Sequence, residues 1–241
     1  MLSQVELHKF PSADDLADAA ADLWLDEIES AGRAGRTHCV ALSGGRISQK
    51  FFTATVLRAR ARNVSFDCVH FFWADERCVP PTDPESNFKM ADELLLAPLK
   101  IVTDRIHRLR GEDFPQAAAK SADEELYRIV PKNSEEESAL DLILLGMGED
   151  GHVASLFPGA SATIMDNSVS FLVVEASPKP PPTRISLSYK AIFAAKNVWV
   201  LISGAGKTEA LRKSLSTCDQ TPLARVIAAR PVKIFSDINE I

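Results

Sequence analysis

A chain of 241 residues has room for one large α/β domain or two small ones, and its 46% hydrophobic share is enough to bury a sizeable core, which excludes disorder. The net charge of −6 argues against a general nucleic-acid binder, so an anionic ligand needs a local basic patch. The N-terminus has no signal-peptide core and no apolar run reaches the ~18 residues of a membrane span, so the expectation is a soluble, cytoplasmic protein with no membrane partner.

Ser12 followed by Asp15 resembles a capping box, and Leu16, Ala20, Leu23, Trp24 and Ile28 fall on one face of a helix ending near Gly32. A short buried strand is expected over 38–42, then Ser43-Gly44-Gly45, then a helix over 47–60. Strand, glycine turn and helix in that order point backbone N–H groups at an anion. A second strand over 66–73 ends in Ala74-Asp75-Glu76-Arg77, where a solvated loop tip is the plain alternative to a site. A proline-rich loop leads into a helix over 85–96, 106–109 reads as an edge strand, and 116–129 reads as a helix.

The unbroken run Leu142-Ile143-Leu144-Leu145 has the character of a strand buried on both faces of a parallel sheet. Gly146-Met147-Gly148 ends it, and Glu149, Asp150, Gly151 and His152 follow before an expected helical turn over 153–157. A histidine placed beyond a strand end by a glycine turn is a candidate general base. Gly146, Gly148 and Gly151 also spell G-x-G-x-x-G, but two acids in the turn repel a pyrophosphate and no crossover helix fits before Pro158. Further strands are expected over 169–175 and 198–202, with a proline-rich segment over 178–182 and a short helix over 189–195 between them. Gly206-Lys207-Thr208 imitates a P-loop, yet the required first glycine is Leu201; a lysine at a helix N-terminus suited to one phosphate survives. A helix over 221–229 and a strand over 232–235 close the chain.

Strands and helices alternate throughout, so the fold class is α/β: a doubly wound, largely parallel sheet with helices on both faces, in one domain over 1–241. Four strand ends carry polar clusters, and four on one sheet edge make a site. The cysteines Cys39, Cys68, Cys78 and Cys218 are scattered, without C-x-x-C or zinc spacing; Cys39 and Cys68 read as buried thiols.

With those clusters in place, the chain resembles the 6-phosphogluconolactonases of the glucosamine-6-phosphate isomerase/6-phosphogluconolactonase family. The matching stretches are ALSGG at 41–45, FFWADERCVPPTDPESNFKMADELLL at 71–96, LDLILLGMGEDGHVASLFPG at 140–159, PPPTRISLS at 180–188 and WVLISGAGKTEAL at 199–211. The resemblance implies hydrolysis of 6-phosphoglucono-δ-lactone in the pentose phosphate pathway, with no cofactor; no metal is expected either, because the candidate residues lack a plausible ligand set and a lactone carbonyl does not demand a Lewis acid. His152 then takes a proton from water and returns it to the leaving ring oxygen; Asp75 orients either the histidine or the substrate hydroxyls, with Asp150 the runner-up for that role. Arg184 and Lys207 are the expected phosphate ligands, helped by Ser43, Gly44 and Gly45, while Arg77 either binds the anion or orients Asp75. Arg46-Ile47 departs from the Ser/Thr-Thr-Pro frequent in the family, which puts a side-chain contact from Arg46 in doubt. Two rival readings are a glucosamine-6-phosphate deaminase, which normally has an acid where Ser155-Leu156-Phe157-Pro158 stands, and a sugar-phosphate sensor lacking catalysis. Oligomeric state, monomer or dimer, is open.

Overall fold

The computed structural model describes residues 5–159, 168–216 and 221–239. Six strands form one sheet in which every pair is parallel: β1 (Val5–Lys9), β2 (His38–Leu42), β3 (Val69–Trp73), β5 (Leu142–Gly146), β8 (Asn197–Ile202) and β9 (Val232–Ser236), in the order β1-β9-β8-β5-β2-β3. β2 and β3 are buried at every position, as apolar runs covered on both faces must be. Around the sheet lie α1 (Ala13–Arg33), α2 (Arg46–Arg62), α3 (Asn87–Ala91), α4 (Pro115–Ile129), α5 (Tyr189–Ala194), α6 (Thr208–Leu215) and α7 (Pro222–Ala229).

Helix α1 starts where its sequence says it should. The Ser12 hydroxyl accepts from the Asp15 N–H at 3.2 Å, and Leu16, Ala20, Trp24 and Ile28 are buried along one face. Trp24 stacks obliquely on Phe51 of α2, while Arg58 and Arg62 of α2 pair with Asp18, Asp22 and Asp26 of α1. From β2 the chain winds one way to β3, and from β5 it winds the other way through β8 to β9. Right-handed crossovers of opposite direction put helices on opposite faces. The reversal falls between β2 and β5 and opens a crevice beyond their carboxyl ends.

Three features depart from the sequence reading. A second, antiparallel sheet, β4 (Asp75–Arg77), β7 (Arg184–Leu187) and β6 (Phe171–Val174), stands apart from the main one, so the expected strand over 169–175 and the polar ADER tip both belong to it. Residues 153–157 form no helical turn: Val153 and Leu156 bridge, and Ala154 sits at φ 49°. With Gly151 before it and Pro158 after it, the segment is too short to nucleate a helix. Residues 106–109 give only one bridge, Ile106 to Phe71. Smaller shifts are local: β3 begins at Val69 because its N–H first closes a turn onto Phe66 O, and the helix expected over 85–96 is α3 capped by Ser86, followed by a π-turn over Asp92–Leu96. Strand β1 was not anticipated. Cys39 is buried and Cys68 half-buried; Cys218 lies outside the described residues. Among the described residues no helix is long and apolar enough to cross a membrane.

Candidate active site

The four polar clusters lie at the ends of β8, β5, β2 and β3, which are consecutive in the sheet. They converge on one cleft of about 140 Å³, lined among others by Ser43, Gly44, Gly45, Arg46, Asp75, Arg77, Asn87, Gly148, His152, Arg184 and Lys207. Every residue singled out in the sequence except Asp150 lines it, and Asp150 is bonded to one that does.

His152 and Asp150 form a pair. The ring Nδ1 lies 2.5 Å from Asp150 Oδ1, and the Asp150 carboxylate also accepts from the His152 N–H at 3.3 Å. With Nδ1–H donated to the carboxylate, Nε2 keeps its lone pair for another proton. The ring also packs on Phe157, centroids 4.6 Å apart. Gly148 makes this possible, because a Cβ there would sit 2.1 Å from both Cε1 and Nδ1 of the ring. Gly151 adopts φ +80°, and its N–H closes onto Gly148 O at 3.0 Å. Burial pushes the His152 imidazole below its ordinary value, against the pull of Asp150, so the neutral base is the favoured form near neutrality. Burial would raise Asp150, but its hydrogen bond and charge interaction with His152 outweigh that and hold the carboxyl low.

Across the cleft stands Asp75. Strand alternation sorts the ADER residues: Asp75 and Arg77 face the cleft and Glu76 faces away. Asp75 Oδ2 accepts from Ser155 Oγ at 2.6 Å and Oδ1 from Asn87 Nδ2 at 3.2 Å, with Arg184 Nη1 4.0 Å from Oδ2. Glu76 is buried and caps α3, accepting from the N–H groups of Asn87 and Phe88 and from Ser86 Oγ. Arg77 donates to Glu85 O at 2.5 Å, while its buried Nε and the buried Ser43 Oγ have no partner among the described residues.

The cationic side of the cleft is built from several elements. Gly45, at φ +100°, is the N-cap of α2, and Gly45, Arg46 and Ile47 at this helix start line the cleft, where the first N–H groups of a helix have no intrahelical partner. Lys207 enters from the turn ahead of α6; burial first, and then the nearby Arg46 charge, hold its ammonium below the ordinary lysine value, with Glu149 opposing. Arg184 is only 4% exposed. Its Nε donates to Pro181 O at 3.1 Å, and its Nη2 donates to Lys179 O at 3.1 Å and Pro180 O at 3.2 Å. Only Nη1 turns toward Ser155 and Asp75, so most of this guanidinium braces the proline loop.

Sequence reasoning overlooked Asn87 and Ser155. Asn87 reaches Asp75 and packs so closely on Gly44 that a Cβ there would lie 1.9 Å from Asn87 Oδ1. Its signal was the Ser-Asn step that starts α3; Ser155 carried none, since its partner is 80 positions away.

Comparisons with known proteins point one way. The family model described as glucosamine-6-phosphate isomerases/6-phosphogluconolactonase matches residues 11–235. A 6-phosphogluconolactonase of Mycobacterium tuberculosis is 34% identical over 223 residues, 91% of this chain and 88% of that protein. One from Haemophilus influenzae is 34% identical over 208 residues, covering 86% and 84% respectively. The solved 6-phosphogluconolactonase of Trypanosoma brucei matches with a TM-score of 0.83 at 26% identity, over 96% of this chain and 95% of that one.

Proposed function

The chain belongs to the glucosamine-6-phosphate isomerase/6-phosphogluconolactonase family, and from that premise we propose that it acts, as one domain, to hydrolyse 6-phospho-D-glucono-1,5-lactone to 6-phospho-D-gluconate in the pentose phosphate pathway. The observation that carries the mechanism is His152, held through Nδ1 by Asp150, sharing one cleft with a cluster of cations. His152 Nε2 takes a proton from a water as its oxygen attacks the lactone carbonyl carbon. The tetrahedral intermediate then collapses, the bond to the ring oxygen breaks, and the imidazolium returns its proton to that oxygen. Asp150 fixes the tautomer and steadies the transient imidazolium.

Asp75, held by Asn87 and Ser155, is assigned to the sugar hydroxyls. Lys207, Arg46 and the first turn of α2 receive the phosphate, with Ser43 Oγ as a further donor. Arg184 braces Asp75 and the proline loop and offers Nη1 to the substrate. Arg77 is assigned to the same wall as Asp75. Lactone opening followed by proton release at constant pH tests the reading. Rapid opening of 6-phosphogluconolactone with no release of ammonia from glucosamine 6-phosphate is expected; the reverse pattern would refute it.

A further inference from the structure

The proline loop over 177–183 is held far more firmly than a surface loop requires. Four prolines stiffen it, and the buried Arg184 binds three successive carbonyls in it, those of Lys179, Pro180 and Pro181. Ser177 Oγ accepts from the Lys179 N–H at 3.2 Å and donates to Lys179 O at 2.8 Å, and Ser177 N–H closes the loop onto Pro182 O. The backbone of Lys179 is thus fixed on both sides, and Lys179 carries the only charge in the loop. Its side chain is exposed and takes part in no ion pair among the described residues. Its positive charge lowers the proton affinities of His152 and Lys207, which line the cleft, and of Asp150, which is bonded to His152. The Lys179 carbonyl lies 3.1 Å from Nη2 of Arg184, which lines the cleft, so the loop backs onto the cleft wall at this residue.

We propose that Lys179 is a specificity-determining cation at the mouth of the cleft, fixed there by Arg184, which draws in the dianionic phosphorylated lactone and favours it over an uncharged one. The inference rests on the lactonase reading. In a chain of net charge −6, an approaching dianion is repelled everywhere except where local cations overcome the average field. An unpaired lysine on a stiff loop is a cheap way to supply that field, because no side-chain partner has to be displaced when the substrate arrives.

The test compares kcat/KM for 6-phosphogluconolactone and for unphosphorylated gluconolactone in wild type, Lys179→Ala, Lys179→Glu and Lys179→Arg, at low ionic strength and near ~0.15 M. Lys179→Ala should lower the ratio of the two about tenfold at low salt, and Lys179→Glu further. Lys179→Arg should keep the ratio, and salt should erode it less in the alanine variant than in wild type. A ratio that stays at the wild-type value in both Lys179→Ala and Lys179→Glu overturns the inference while leaving the lactonase reading intact. A wild type that shows no preference for the phosphorylated lactone overturns both.

Discussion

At the residue scale the account turns on which group holds His152. The sequence left Asp75 and Asp150 as alternatives, and they differ in geometry. Asp150 is two residues away across a glycine turn and bonds Nδ1, whereas Asp75 is occupied by Asn87, Ser155 and Arg184. Spacing alone could not separate them, because strand order decides what faces what. The protonation state has a kinetic consequence. Burial is the largest influence on His152 and lowers it, so the base form is populated at neutral pH and lost as the pH falls. kcat/KM should therefore be level near neutrality and decline on the acid side, with a midpoint below the ordinary ~6.5 of histidine. Asp150 pulls the other way, so Asp150→Asn should move that midpoint further down as well as slow the reaction. A pH–rate profile with its acid limb centred above neutrality would contradict this description.

At the element scale, periodicity made most of the fold legible. β2, β5 and β9 are apolar runs whose ends fall within a residue of expectation, and α1 announced itself through its cap and buried stripe. The failures share a cause, which is pairing between distant segments. β4 is three residues long and exists because Asp75 to Arg77 pair with Arg184 to Ser186. No local pattern encodes that. Likewise, 153–157 has helical composition but is claimed by Ser155, whose N–H bonds Ser186 Oγ and whose hydroxyl bonds Asp75. Glycine carries the strongest element-level prediction. In Gly148→Ala the new methyl would sit 2.1 Å from the His152 ring and 2.6 Å from Asp150 Oδ1, so the turn or the ring must move. Displacing a base by about an ångström costs ~10²-fold, and kcat should fall by that order. The control is Gly32→Ala in α1, where the nearest atom is 3.8 Å away and the rate should hold. Equal rates for the two variants would mean that the Gly148 turn does not position the base.

At the scale of the whole molecule, the active cleft is a product of topology. Four strand ends far apart in sequence become neighbours because the winding reverses between β2 and β5, and the small antiparallel sheet brings Asp75 and Arg184 to the same opening. The first of these was readable as four polar strand ends. The second was not, and with it went the bracing role of Arg184, which looked from sequence like a phosphate ligand and in the fold directs three donor contacts to backbone carbonyls. The central claim is that this assembled cleft opens a phosphorylated lactone through one histidine. It is tested most directly by the enzyme-catalysed rate of 6-phosphogluconolactone opening, corrected for spontaneous hydrolysis, in wild type and in folded His152→Ala. The account predicts a loss of about 10²-fold or more in kcat; a His152→Ala enzyme that opens the lactone at the wild-type rate would contradict it.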